Sequence, residues 1–414
     1  MFSKQEEAIL VSLAKEVRRI ADNEINGEKR KFWYRHNSLK GERPAVFVHP
    51  DGSWGELLPD SALECSDWYA RHIEWTLRQR IIRDRYIPDD VPIERTLHIE
   101  KVWHNSWWGV APKVVPRESQ GGSWHHVPII EKPADWKMLK MPRVEYDDHS
   151  TKLRWEYMQN LLGNILDLDL VGNCYYNFHL AHWYCDFRGL ENMYMDLILE
   201  PDMVHETIGF FAEGVIGMFR QMEEQGLVSL NNNDTFHYTG GIGYTDELPG
   251  EDFDPNHVKL KNVWGAAEAQ EFDSVSPEMH EEFVLQYERK VLELFGLNGY
   301  GCCDNLGKKL HNVLKIKNLR RVAVCPWADI AEFAPVLGDK YLMTWKPQPV
   351  YLAHEKMDTE AVEKELNEGI KKANGCRLEL ILRDTHTVRN CPERFTEWVK
   401  IARNAIEQSW NNTK

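Results

Sequence analysis

The feature that most constrains the fold is a rhythm in the last third of the chain. Four apolar stretches end abruptly in polar or reactive residues: Gly299–Asp304, Arg321–Asp329, Lys340–Gln348 and Arg377–His386. Stretches at helical spacing, 305–314, 328–337 and 358–374, separate them. A strand ending in chemistry, then a helix, then another such strand is the pattern of a parallel α/β barrel. In that architecture the active site lies at the C-terminal ends of the strands. The first of the four ends in two adjacent cysteines, Cys302 and Cys303.

The chain has 414 residues, 43% of them hydrophobic, enough for one large α/β domain with insertions. Its net charge of −15 leaves no basic excess for nucleic acid or an anionic membrane surface. The N-terminus mixes acids and lysines into its apolar pattern, so it is expected to be neither a signal peptide nor a membrane span. A cytoplasmic protein is expected. Eight cysteines are too few for a disulfide scaffold, and the scattered ones are expected to be buried, reduced thiols. The sixteen tryptophans are expected mostly in the core or a subunit interface, with Trp107 among those that would line a ligand pocket.

Read in order, residues 1–30 form an N-terminal helical extension, and 31–414 form a single (β/α)8 barrel. Its strands are expected near 44–49, 97–103, 175–183, 227–231, 297–302, 321–325, 340–345 and 377–384. The region 105–150 carries glycines and prolines without a helical period. It is expected to be an insertion folding over the barrel mouth.

The strand ends supply the candidate residues. Cys302 and Cys303 are read as packed thiols, a metal-free catalytic cysteine, or zinc ligands, since zinc takes thiolate, imidazole and carboxylate donors. In the zinc reading Cys303 leads, with Cys302, Asp304 and His386 as further donors. His237, Asn232, Lys346 and Asp384 are the acid–base and catalytic candidates. Asp384 and His386 stand in a DTH run with little evident packing purpose. His49, His104, Trp107, Trp327, Gln348 and Tyr244 are expected to bind substrate. The mouth is expected to gather His49, His104, His237, Cys303, Trp327, Lys346, Asp384 and His386 around one cavity.

The run Arg188-Gly189-Leu190-Glu191-Asn192, with Asp196, Pro201 and His205, resembles a helix-pair motif of the uroporphyrinogen decarboxylase-like superfamily. Ser276-Pro277 with Glu282-Phe283 resembles that family's helix opening before a later strand. The resemblance runs over about residues 30–410, with 105–150 unmatched. It implies the barrel, a homodimer, and one of two chemistries. The decarboxylase branch carries an arginine motif after the first strand, but here that strand runs PAVFVHPDGSW. The other branch consists of corrinoid-linked zinc methyltransferases, with a His-x-Cys motif and a later cysteine as ligands. Cys303 matches its first cysteine, while Gly301 stands where the histidine would be, and Asp384-Thr385-His386 has no cysteine. The resemblance therefore implies a metal-assisted methyltransferase or demethylase with a rearranged zinc site. Its substrate would be a methoxylated or methylated small molecule, and its methyl acceptor a corrinoid carried by a partner protein. The alternatives are a cofactor-free decarboxylase and a non-catalytic barrel binding a cobamide or small ligand.

Overall fold

The computed structural model describes residues 2–115 and 125–410. Thirteen strands follow one another in these residues. They are β1 (Ala45–Val48), β2 (Thr96–Glu100), β3 (Val102–Asn105), β4 (Lys113–Val115), β5 (His125–Val127), β6 (Val144–Asp147) and β7 (Asp167–Val171). After them come β8 (Asn177–Phe178), β9 (Trp264–Ala267), β10 (Leu297–Tyr300), β11 (Leu319–Val324), β12 (Leu342–Trp345) and β13 (Arg377–Leu382). The order β1-β13-β12-β11-β10-β9-β8 makes one seven-stranded sheet in which every pairing is parallel. β2 and β7 form a separate parallel pair. The first strand thus lies beside the last, with Ala45 opposite Glu379. No ladder among the described residues joins β1 to β2.

Two expected strands lie elsewhere. Residues 175–183 include only the short β8, and Leu180–Arg188 is a helix that buries Leu180, Ala181, Tyr184 and Phe187. That spacing is helical, and burial on one face outweighs the local β preference of the aromatic residues. The strand before it is the alternating Asp-Leu-Asp-Leu-Val of β7. Residues 227–231 contribute a single bridge, Val228 to Asn173, and β9 supplies the strand beside β10 instead.

A side-chain amide takes over where that expected strand fails. Asn231 Nδ2 donates to the carbonyls of Cys174 (3.1 Å) and Trp264 (3.0 Å), and its Oδ1 accepts from the Trp264 N–H (2.9 Å). It imitates a backbone rung between β9 and the segment after β7. Replacing Asn231 with alanine leaves these buried backbone groups unpaired, and is expected to lower stability by about 2 kcal/mol, because relaxation and water restore part of the bonding. Urea denaturation at unchanged m-value checks this.

Alternation along the strands gives the sheet two unlike faces. Val322, Val324, Met343, Trp345, Leu378, Leu380 and Leu382 join the main core with the helices Pro201–Glu224 and Glu393–Ser409. The opposite face carries Arg321, Thr344 and Glu379, all fully buried. Against it lies a tight hairpin, in which the His237 N–H donates to Gly241 and the Gly240 N–H donates back to His237. Gly240 is needed there: its φ is 140°, and a Cβ would sit 2.2 Å from Thr344 Cγ2. This hairpin presents Tyr238 to the C-terminal ends of the strands.

The 105–150 region pairs β3 with β6 and β4 with β5, both antiparallel. Its anchor is Trp108, which packs on Phe211 and Trp183. Gly214 makes room for it, since a Cβ there would be 2.4 Å from the indole. Of the insertion expected over the strand ends, residues 116–124 lie outside the described residues; the rest clamps onto flanking helices and reaches the cleft beside Cys303 through Pro128.

Candidate active site

β10 ends at Tyr300, and the chain turns through Gly301, whose φ is 88°. The turn is closed by Asp304 Oδ1, which accepts from the Cys302 N–H at 2.9 Å. Because the strand has already ended, the two cysteines do not point to opposite faces: their sulfurs are 3.6 Å apart. Cys302 is buried, and Cys303 is half-buried at the edge of an open cleft of about 1150 Å³.

The sulfurs lie within hydrogen-bond reach of each other, and either can be the donor. The contact with Cys303, against the cost of burial, lowers the Cys302 thiol to about 5, assisted by Lys346 and Arg383. Cys303 is pushed well up by the same contact, then by burial. At neutral pH the pair therefore carries a single negative charge. Lys346 is itself buried and donates to the Cys302 carbonyl at 2.8 Å. Arg383 donates to the Tyr238 carbonyl at 3.0 Å and lies over the Phe236 and Tyr238 rings. Burial, then the negative charge at Cys302, keeps the Tyr238 phenol protonated.

Around this centre lie two further groups. On one side, His49 meets Asp51 at 2.8 Å and packs on Phe236, with ring centroids 4.6 Å apart. Asp51 also accepts from the Asp384 N–H at 2.7 Å, where the backbone is left-handed (φ 56°). On the other side, His179 packs on Tyr238 and lies 2.8 Å from Glu268, out of line for a hydrogen bond. His182 bonds Glu271 at 2.8 Å and reaches Asp186 at 3.5 Å, which raises its pKa to about 9, so it is protonated at neutral pH. Beneath the pair, burial and the Glu268 charge raise Asp304 to about 6.

The structure thus brings Cys302, Cys303, Lys346, Asp384 and His49 into one neighbourhood, with Trp327 exposed across the cleft. Other expected members lie apart. His104 is on the antiparallel β3, opposite Glu145, and Trp107 is exposed just beyond it. His237 is buried against Trp264 and the Asn231 carbonyl, and burial, then Arg321, keeps it neutral. Asn232 bonds the carbonyls of Thr245 and Leu248, holding its own loop. Tyr244 donates to Glu94 and packs on Tyr34. Gln348 bonds the Pro326 carbonyl. His386 is exposed over Gly52. The DTH run does have a packing purpose: Thr385 donates to the Pro50 carbonyl at 2.6 Å, and Ser53 donates back to Thr385. The single cavity expected to hold all eight mouth residues is therefore not formed.

The expected zinc donors do not converge. Among the described residues no group of three or more His, Cys, Asp and Glu side chains is placed to hold one metal ion. Asp304 spends one oxygen on its own turn, and the other is buried without a partner.

Arg383, Tyr238, His179, His182, Glu268 and Glu271 were not legible as site residues. Arg383 and Tyr238 adjoin positions that were singled out. The other four flank elements misplaced in sequence, the helix from Leu180 and β9. The Arg188–Asp196 motif is a clamp: the guanidinium grips the carboxylate at 2.7 and 2.9 Å and bonds the Ile130 carbonyl, while Glu191 and Asn192 reach the cleft.

No family model matches the chain, and no curated protein matches it. Among solved structures, the chain is similar to a methyltransferase from Methanosarcina mazei. The identity is 10% and the TM-score 0.48, with 91% of this chain and 98% of that chain covered. A likeness so distant carries no argument about chemistry. No helix among the described residues is long and apolar enough to cross a membrane.

Proposed function

We propose that this chain is a methyltransferase whose parallel strands close into a barrel. In this reading it removes a methyl group from a methylated or methoxylated small molecule, and the acceptor is a corrinoid held by a partner protein. The observation that carries the reading is the Cys302–Cys303 pair: two sulfurs 3.6 Å apart, at a strand end, beside an open cleft, in surroundings that favour a thiolate. The motifs that resemble the superfamily containing the methyltransferases support it, and the position of Cys303 matches the methyltransferase branch's first cysteine. The cleft is lined by carboxylates rather than arginines, which speaks against a decarboxylase gripping an anionic substrate.

The methyl carbon is an electrophile, and a negative pair of sulfurs at the cleft edge stabilises the developing positive charge there. Lys346 and Arg383 set the charge of the pair, and Asp304 fixes its turn. Where the leaving atom is oxygen, the bond breaks with its electrons on oxygen, and protonated His182 on the cleft wall is placed to supply the proton. A zinc ion on the two sulfurs would need donors that the described residues do not gather, so no step is routed through one.

The test is single-turnover demethylation. Purified protein is mixed with reduced cobalamin and a panel of methylated amines, methyl ethers and methoxylated aromatics. Loss of the reduced corrinoid spectrum together with appearance of the demethylated product is expected for at least one donor class. Failure with every donor, under conditions where the protein is folded, contradicts the proposal.

A further inference from the structure

The two thiols after β10 are placed to react with each other as well as with a substrate. Their sulfurs are 3.6 Å apart, and Cys303 lines the cleft, so a small oxidant in the cleft reaches the pair. The backbone that carries them is not part of the sheet. Both ladders of β10 stop at Tyr300, and the Gly301 N–H makes a last bond to the Ala267 carbonyl. Beyond that point side chains hold the turn: the Asp304 carboxylate accepts from the Cys302 N–H at 2.9 Å, and the Lys346 ammonium donates to the Cys302 carbonyl at 2.8 Å. Side chains can follow a peptide that rotates, so the 302–303 turn can change shape without breaking a rung of the sheet. A bond between neighbouring cysteines is nevertheless strained. Consecutive Cα atoms are about 3.8 Å apart, against about 4.4–6.8 Å across an ordinary disulfide. Such strain makes a disulfide easy to reduce, which is the property of regulatory rather than structural bridges.

We propose that Cys302 and Cys303 form a reversible oxidation site, closed to a disulfide by a hydroperoxide and reopened by a small thiol. The site stands on its own geometry; that closing it stops methyl transfer rests on the methyltransferase reading above. One sulfur of the pair, as thiolate, attacks the nearer peroxide oxygen. The O–O bond breaks, its electron pair leaves on the far oxygen, and that oxygen takes a proton to become an alcohol or water. A sulfenic acid remains on the attacking sulfur. The second sulfur displaces its hydroxyl group, the S–S bond forms, and the hydroxide leaves as water with the second thiol's proton. The two sulfurs together give up two electrons and two protons, and one hydroperoxide becomes one alcohol and one water. The neighbouring thiol captures the sulfenic acid before a second peroxide can carry it on to sulfinic acid. Reopening consumes two small thiols, which leave as their own disulfide.

The test treats the full chain with hydrogen peroxide, unfolds it in excess iodoacetamide and weighs the 302–303 peptide by mass spectrometry. The expected peptide lacks two hydrogens and carries no alkyl group. Incubation with glutathione before unfolding is expected to return the doubly alkylated form. Cys185→Ser, which removes another cysteine on the cleft wall, is expected to leave this result unchanged. In Cys303→Ser the reaction stops at the sulfenic acid of Cys302, and dimedone is expected to label that peptide on the order of tenfold more than in the wild type. Circular dichroism confirms that both variants are folded. The inference is overturned if the wild-type peptide stays doubly alkylated, is linked to the Cys185 peptide, or carries sulfinic acid in place of a disulfide. Equal dimedone labelling of wild type and Cys303→Ser overturns it as well. Demethylation keeps the two ideas apart: closing the pair is expected to abolish it, and glutathione to restore it. If the disulfide forms and demethylation continues, the cysteine pair is not the reaction centre, while the oxidation site stands. If demethylation proceeds and no disulfide ever forms, the oxidation site fails and the methyltransferase reading stands.

Discussion

Replacing Glu379 with leucine is expected to destabilise the protein by about 3–5 kcal/mol, enough to unfold a marginally stable domain. Glu379 and Arg321 face each other inside the sheet, both fully buried, with contacts of 2.9 and 3.1 Å. Thr344 donates to the same carboxylate at 2.6 Å, and Asn37 accepts from Arg321 at 2.9 Å. Leucine removes the carboxylate that balances Arg321 and leaves a buried guanidinium with only neutral acceptors, Asn37 and the Ile242 carbonyl. Thermal or urea unfolding measures the loss. The double variant Glu379→Leu/Arg321→Met, which removes both charges, is expected to recover a large part of it. If the double variant is as unstable as the single one, packing volume rather than the unpaired charge is responsible. The same pair supports the Gly240–Gly241 hairpin, so the single variant is also expected to misplace Tyr238.

The second large effect falls on Cys302. Serine keeps the turn and nearly the same volume, but its hydroxyl is not ionised at neutral pH. Cys302→Ser is expected to lower methyl transfer on the order of 10³-fold, while the protein folds normally. Lys346→Met acts through the same sulfur. Removing the ammonium takes away a charge that favours the thiolate, so the Cys302 pKa is expected to rise. Activity should then recover partly as the pH is raised, which a purely structural role of Lys346 would not produce. Substrate saturation should change less than turnover in both variants.

Much of the framework was legible because strands buried on both faces read as plain apolar runs. β1, β10, β11, β12 and β13 lie where Ala-Val-Phe-Val, Leu-Asn-Gly-Tyr and their later counterparts predict them. β9 was not found, because Trp-Gly-Ala-Ala is short and small-residue-rich and carries no period. Its smallness has a cause in the fold: Gly265 lies under Phe295, where a Cβ would be 2.3 Å from the ring. Missing β9 hid Glu268 and Glu271, and reading 175–183 as a strand hid His179 and His182. The cysteine pair was legible as chemistry, and so was Lys346, but Arg383 and Tyr238 were not. Lys346 and Arg383 come from the ends of β12 and β13, and Tyr238 comes from a hairpin that no local pattern directs to the sheet. His237 and Tyr244 show the converse. Both are residues that often do chemistry, and here packing and hydrogen bonding within the fold account for their contacts.

The claim on which the functional account turns is that Cys302 and Cys303 hold one proton and one negative charge between them. The pH dependence of alkylation by iodoacetamide, followed by mass spectrometry of the 302–303 peptide, tests it directly. Deprotonation makes the nucleophile, so the rate should rise as pH increases through about 5 and then stay level through neutrality. Only one sulfur of the pair should react in that range, and Cys302→Ser should move the midpoint up towards that of an ordinary thiol, about 8.5. If wild-type protein instead shows no reaction at this peptide until the pH approaches that ordinary thiol value, the pair is two packed neutral thiols, and the reaction centre proposed here is contradicted.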